Sequence, residues 1–355
     1  MKKEGGLGKM DRDFFSRVLM KNVGASNPAV LVGPGMGLDN AVLSVGGGRV
    51  MVVTADPLSI IPSVGMERSA WLTVHELASD LTTSAVRPQF AVLDFNLPPS
   101  LSLSEFEVYS RSVSDECAKL GISIVGGHTG RYPGSDFSIV GGGMMMGLAE
   151  EGRYLTPTMM MEDDHVIMTK GAAIEATGVL SMAFPRTTRK LVGSALTART
   201  ARSYFDLCST VEDALTASSV GLKEDGVTSM HDATEGGVLG ALYELSQSSG
   251  RDLVVEKEKV HVSDESSAVC SAFGLDPLTT LSEGTLIITC RPHKTEEILG
   301  ALSRRGMSGF PIGRAGPKGG KLLLVTNRGE PKRYLPPKFD PYWKVYQKGV
   351  ENGWK

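Results

Sequence analysis

Apolar residues along this chain follow two spacings. Short runs broken by glycine turns alternate with stretches in which apolar positions recur every three or four residues, so strands are expected to interleave with helices. Residues 11–22 read as a short helix and Ala29–Val32 as a strand, followed by the turn Gly33-Pro34-Gly35-Met36-Gly37 leading to Asp39. A strand over Val50–Thr54 delivers Asp56 at its end, and Pro57, lacking an amide proton, is expected to stop further pairing. From Glu67 to Val86 the period is helical, with Trp71, Val74, Ala78 and Leu81 on one stripe and Pro88 beyond the end. Strand Phe90–Leu93 follows, then a helix over 104–120 whose buried stripe is Phe106, Tyr109, Val113, Cys117 and Leu120. Ile122–Val125 reads as a strand ending in Gly126-Gly127-His128-Thr129. Phe137–Leu148 reads as another, interrupted by Gly141-Gly142-Gly143.

Residues 150–164 change character, being acidic, Pro-containing and Met-rich, and mark a domain boundary. A second strand–helix series opens at His165–Thr169, with further strands at Leu253–Glu256, Thr285–Cys290 and Leu322–Val325. Helices are expected over 189–219, 236–249, 264–273 and 294–304. The expectation is an α/β chain in four pieces: an N-terminal segment 1–25, a domain over 26–155, a second over 160–330, and a partly ordered tail, 331–355.

Composition narrows the function classes. With 355 residues, 41% hydrophobic and 22% charged, the chain is long enough for two cores and ordinary for a globular protein. A formal charge of −3 supplies no basic field for nucleic acid. No apolar stretch reaches membrane-spanning length, and the start lacks a signal peptide's apolar core, so a cytoplasmic location is expected. Cys117, Cys208, Cys270 and Cys290 form no C-x-x-C pair and read as buried free thiols in a reducing compartment.

The candidate chemistry lies where acids sit beside glycine turns. If Asp39, Asp56 and Asp80 converge, two of these carboxylates about 5 Å apart repel by roughly 3 kcal/mol at an effective dielectric near 20, and magnesium bridging to phosphate would answer that repulsion. Separate capping or surface aspartates are the alternative. Asp232 to Gly237 precede a helix face of Val238, Leu239, Leu242 and Leu245, so Asp232 or Thr234 would cap that helix, or its exposed amides would attract an anion. His128 and His231 lie beside a glycine turn or an acid, and Glu283 precedes a strand. The glycine-rich start with Lys2, Lys3 and Lys9 reads as a segment folding over a nucleotide or as a frayed terminus.

In order and spacing, Gly37 to Ala41, Asp56-Pro57, Ser79-Asp80-Leu81, Gly126 to Thr129, Met230 to Gly237 and Phe273 to Pro277 leading to Glu283-Gly284 resemble the aminoimidazole ribonucleotide (AIR) synthetase superfamily. This group includes HypE, thiamine-monophosphate kinase and selenophosphate synthetase, and the likeness is greatest to the HypE-like branch. The resemblance implies a PurM-like α/β architecture whose N-terminal sheet forms a barrel across a homodimer, with a second α/β sandwich behind it. It implies ATP and Mg²⁺ in the cleft between domains. By motif Asp39, Asp56 and Asp80 would bind metal, Gly37, Asp56, Gly126, Gly127 and Thr129 would bind the cofactor, and Asp232, Glu283 and His128 would be catalytic. The implied function is phosphorylation or ATP-driven activation of a small substrate. A thiamine-monophosphate-kinase-like activity and a non-catalytic nucleotide-binding maturation or regulatory protein are the alternatives. Neither nucleic acid nor membrane is an implied partner. The chain departs from the pattern in three places: no cysteine follows Cys290, His128 stands where relatives carry Asp, and Glu235 stands where they carry Arg.

Overall fold

The computed structural model describes residues 6–326 and 329–355; Lys2 and Lys3 lie outside them. Contacts divide the chain into two compact units. One holds 27–33 and 39–154; the other holds the segment ending at Ser26, Pro34–Leu38 and Leu155–Lys355.

Helix α1 (Arg12–Arg17) is capped by Asp11, which accepts from the amides of Asp13 and Phe14. It is shorter than the periodicity suggests, because a separate 3-10 turn takes over at Leu19–Lys21. In the first unit, β1 (Val30–Val32), β2 (Ala41–Gly46) and β3 (Arg49–Ile60) pair as an antiparallel meander. The β2–β3 hairpin turns on Gly46-Gly47-Gly48, all at positive φ, where only glycine is unstrained. Pro57 does not end β3: the strand continues to Ile60, and a register shift between Pro57 and Ser59 absorbs the missing donor. Next come α2 (Met66–Thr82), β4 (Phe90–Leu97), α3 (Leu103–Leu120), β5 (Ser123–Arg131) and β6 (Ser138–Glu150).

The strand order is β1-β2-β3-β6-β4-β5, with β4 and β5 parallel and the remaining pairs antiparallel. Among the described residues this sheet is open, with β1 and β5 as its edges; no closed barrel forms within the chain. Val50, Val52 and Leu58 of β3 and Leu93 and Phe95 of β4 alternate inward with Leu77 and Leu81 of α2 and Tyr109 of α3. Tyr109 is fully buried, its hydroxyl 3.0 Å from that of Thr73. Gly141-Gly142-Gly143 do not interrupt β6. A Cβ at Gly143 would stand 2.7 Å from Leu77 Cδ1 and 2.8 Å from Leu58 Cδ2, so the missing side chain is what lets α2 settle on the sheet.

In the second unit β7 (His165–Thr169) is followed by α4 (Ile174–Ala183), α5 (Pro185–Val192), α6 (Ser194–Ser203), α7 (Val211–Val220) and β8 (Val227–Ala233). Then come α8 (Gly237–Ser249), β9 (Arg251–Glu256), α9 (Asp264–Phe273), β10 (Thr285–Cys290) and α10 (Thr295–Arg304). The unit closes with β11 (Gly309–Lys318), β12 (Leu322–Val325), β13 (Lys332–Arg333) and α11 (Pro341–Glu351). The sheet runs β13-β12-β9-β11-β7-β10-β8. Strands β8 and β10 are buried at every position, so they read as continuous rather than alternating runs. Val166 and Met168 join Leu239, Leu242 and Leu245 of α8 in one core, while Ile167 faces the opposite side, beside Leu302 of α10 around Gly309. The helical stretch expected at 189–219 is divided at Gly193 (φ +90°) and again after Ser203.

The C-terminal residues are built into this unit. Asp340 caps α11, Pro341 takes its first turn, and Tyr342 is buried. Phe184 meets Tyr346 and Trp354 at ring distances of 5.4 and 5.6 Å, and Thr187 donates its amide to the Lys355 carbonyl at 2.7 Å. Burying each such aromatic ring contributes about 2 kcal/mol, which outweighs the disorder expected of a tail.

Candidate functional site

The first unit gathers oxygen atoms around Thr54. This residue is on the helix-facing side of β3, and its hydroxyl lies 2.8 Å from the Asp39 carbonyl and 3.0 Å from Asp80 Oδ2. Asp56 is two residues on and shares that face by strand alternation. Asn40 tightens the arrangement: its amide donates to the Asp80 carbonyl and to the Thr83 hydroxyl, both at 2.8 Å. The lead-in to β2, strand β3 and the C-terminal end of α2 are thus tied at one place. Asp80 is near the negative end of the α2 dipole, which disfavours its charge. Buried Asn40 Oδ1 has no hydrogen-bond partner among the described residues. These donors are all oxygen, the ligand type a hard divalent cation prefers, so the residues fit magnesium.

Strand β5 holds Gly126, Gly127, His128 and Thr129 within its length rather than in a following loop. Strands β6 and β4 lie between it and β3. Gly127, at φ +150°, abuts the Leu93 carbonyl so closely that no side chain fits. His128 is exposed, its Nε2 2.8 Å from the Tyr132 hydroxyl, and it pairs across β4 with Asp94. Asp94 lies one residue beyond the strand end expected at Leu93, and the alternation continues to Leu97.

The second unit carries the other candidates on two interlocked loops. The register pairs Ala233 with Thr285, which places Asp232 at the end of β8 and Glu283 just before β10, at the same end of the sheet. Asp232 and Glu283 are only 2% and 3% exposed. Thr234 accepts from the Ser282 amide at 3.2 Å, and Leu239 donates to the Leu278 carbonyl at 3.0 Å. Gly237, at φ +63°, has so little room that a Cβ would stand 2.7 Å from the Thr280 carbonyl oxygen.

The capping role expected of Asp232 or Thr234 does not hold. The N-cap is Gly236 with no side-chain cap bond, and Asp232 belongs to β8. The first amides are also engaged: Gly236 donates to Asp340 Oδ2 at 2.8 Å, Gly237 to the Thr234 carbonyl and Leu239 to Leu278.

The N-terminal arm meets the same loop. Lys9 donates its amide to Glu235 Oε2 at 2.7 Å and its ammonium to the Thr234 hydroxyl at 2.8 Å. Arg12 stacks over Tyr243 at 5.1 Å. Gly37 packs so tightly against α8 that a Cβ would stand 2.6 Å from the Glu244 carbonyl. Burial opposes the charge of Glu244, but Lys9, the contact with His231 (3.4 Å) and Arg12 prevail and bring its carboxyl down to about 2.

Comparison with known proteins shows the family. Residues 37–149 match the N-terminal domain, and 162–325 the C-terminal domain, of the AIR synthase related protein family. The chain belongs to this family. Its relatives include carbamoyl dehydratase HypE of Rhizobium leguminosarum, 24% identical over 281 residues covering 75% of this chain and 73% of the relative. Among solved structures, E. coli HypE, a hydrogenase maturation protein, superposes with a TM-score of 0.71 at 20% identity, over 94% of this chain and 99% of that one. A structure of HypE in complex with ATP gives 0.63 at 18% identity, over 95% and 98%. The chain is therefore a HypE-like, two-domain PurM-type protein.

Proposed function

We propose that this protein binds ATP with Mg²⁺ and uses it to phosphorylate, or otherwise activate, an oxygen of a small substrate. The oxygen atoms at Thr54, the Asp39 carbonyl and Asp80 Oδ2, carry this reading, and the likeness to an ATP-bound HypE supports it. Asp39, Asp56 and Asp80 would hold the cation, which supplies charge neutralisation at phosphate oxygens when bound. Thr54 and Asn40 fix the positions of Asp39 and Asp80, so the site needs little reorganisation on loading. Asp232 and Glu283, both buried at strand ends, would orient or deprotonate the acceptor.

A homodimer formed through the open sheet of the first unit belongs to the same reading. Ile124, Val125, Ile139 and Met144 there are 40–58% exposed, an apolar display that pairing would cover. Four buried cysteines suit a reducing, cytoplasmic location.

Calorimetric titration with ATP in the presence and absence of Mg²⁺ tests the proposal. Wild type should bind with the metal, and Asp56→Asn should weaken binding by about tenfold or more, a loss of at least one charge-assisted contact. Binding that ignores both magnesium and this substitution would overturn it. ATP binding without phosphate release in the presence of any candidate substrate would favour the non-catalytic alternative.

A further inference from the structure

Asp340 occupies an unusual position. Its residue precedes α11, some hundred positions after the loop it touches, yet its carboxylate joins three separate segments. Oδ2 accepts from the Gly236 amide at 2.8 Å, while Oδ1 accepts from the Tyr342 amide at 2.8 Å and the Thr280 hydroxyl at 3.3 Å. Gly236 lies in the loop that leaves Asp232, and Thr280 in the loop that arrives at Glu283. One side chain from the C-terminal segment therefore pins both loops at once.

We propose that Asp340 is a positioning residue whose ionised carboxylate sets the two loops carrying Asp232 and Glu283, making the arrangement of those acids depend on its protonation. This rests on the nucleotide-dependent function proposed above. A carboxylate has acceptors for all three donors; a neutral acid or an amide turns a hydrogen toward one of them. The groups facing Asp340 are Glu235 from the first loop, Cys270 from α9 and Tyr342 from α11. Burial is the main influence on its carboxyl and Glu235 adds to it; together they outweigh the three donors and raise it to about 6. Lys9 holds Glu235 from the far side, so the arm and the C-terminal segment grip one loop between them.

The sign separates positioning from plain structural support. Because the folded value is raised, this group's stability contribution is present at low pH and is lost as pH rises through about 6. Ionisation thus costs stability while it orders the loops, so stability and loop order move in opposite directions.

The test compares the full-length wild type with Asp340→Asn in amide hydrogen exchange, Mg²⁺–ATP titration and thermal unfolding. At about pH 8 the variant should exchange the amides of 236–239 and 280–282 about tenfold faster, one hydrogen bond to a charged group, and bind Mg²⁺–ATP as wild type does, because the cation is assigned to Asp39, Asp56 and Asp80. Its unfolding midpoint should be no lower than wild type there, and near pH 5 the two proteins should exchange alike. Equal exchange in both proteins would overturn the positioning role, as would a fall in midpoint that accompanies and matches the faster exchange. Wild type that fails to bind Mg²⁺–ATP at either pH refutes the nucleotide reading, and the exchange comparison still decides the role of Asp340.

Discussion

The interlock of the two loops can be weighed at a single glycine. Gly237 and Gly250 both adopt left-handed backbone, at φ +63° and +68°, one at each end of α8. A Cβ at Gly250 would meet nothing within 4 Å, whereas at Gly237 it would stand 2.7–2.8 Å from the Leu278 carbonyl and the Thr280 backbone. Gly250→Ala therefore carries only the left-handed penalty, about 1–2 kcal/mol. Gly237→Ala adds a steric overlap with backbone that cannot rotate away, typically another 1–3 kcal/mol, for a total of about 2–5 kcal/mol. For a unit of this size each kcal/mol moves the midpoint by about 2–4 °C, so calorimetric unfolding should place Gly250→Ala about 4 °C and Gly237→Ala about 10 °C below wild type. Equal shifts would mean that the loops are not locked at Thr280, and the described geometry would be wrong.

Two further outcomes follow from buried charge and thiols. Glu244 is held down at about 2, so its stability contribution is present above the ordinary carboxylate range and lost as pH falls through about 2. Glu244→Gln should be less stable than wild type at about pH 6 by up to about 3 kcal/mol, with the difference vanishing near pH 2 in pH-dependent unfolding. Burial raises the thiols of Cys117 and Cys290 to about 11 and that of Cys270 to about 12. An aromatic disulfide reagent should leave all four cysteines unreacted in the native protein and titrate all four in denaturant; rapid labelling of the native chain would contradict their burial.

Elements with a clear period were legible in the sequence. Helix α2 shows its stripe at Trp71, Val74, Ala78 and Leu81, and α9 lies within its expected range. The failures share a physical cause, since local signals were overridden by tertiary pairing. Pro57 and the glycines of β6 look like breakers, but Pro57 is held by β6 on its one paired side, and Gly142 and Gly143 are held by β3 and β4 on both. Helix α4 has no polar face because nearly every residue in it is buried, so no amphipathic period announces it. Of the candidate site, Asp39 and Asp56 stand out in the sequence as acids after a glycine turn or at a strand end and Asp80 as an acid late in a helix, whereas Thr54, which ties Asp39 to Asp80, carries no signal beyond its place in a strand. Asp340 had a readable capping signature in Asp340-Pro341. Its second role, on a loop a hundred residues earlier, could not be read from local pattern.

The bare centre of β6 reaches beyond packing. With Leu77 resting where a Gly143 side chain would be, the height of α2 above the sheet is set by the thickness of one unsubstituted strand. Asp80, one turn further along that helix, touches Thr54 only at this height. A methyl group added at Gly143, the cross-strand partner of Asp56, would lift the helix and slacken the oxygen cluster, so the sheet interior acts as the gauge block against which the acidic side chains are aligned.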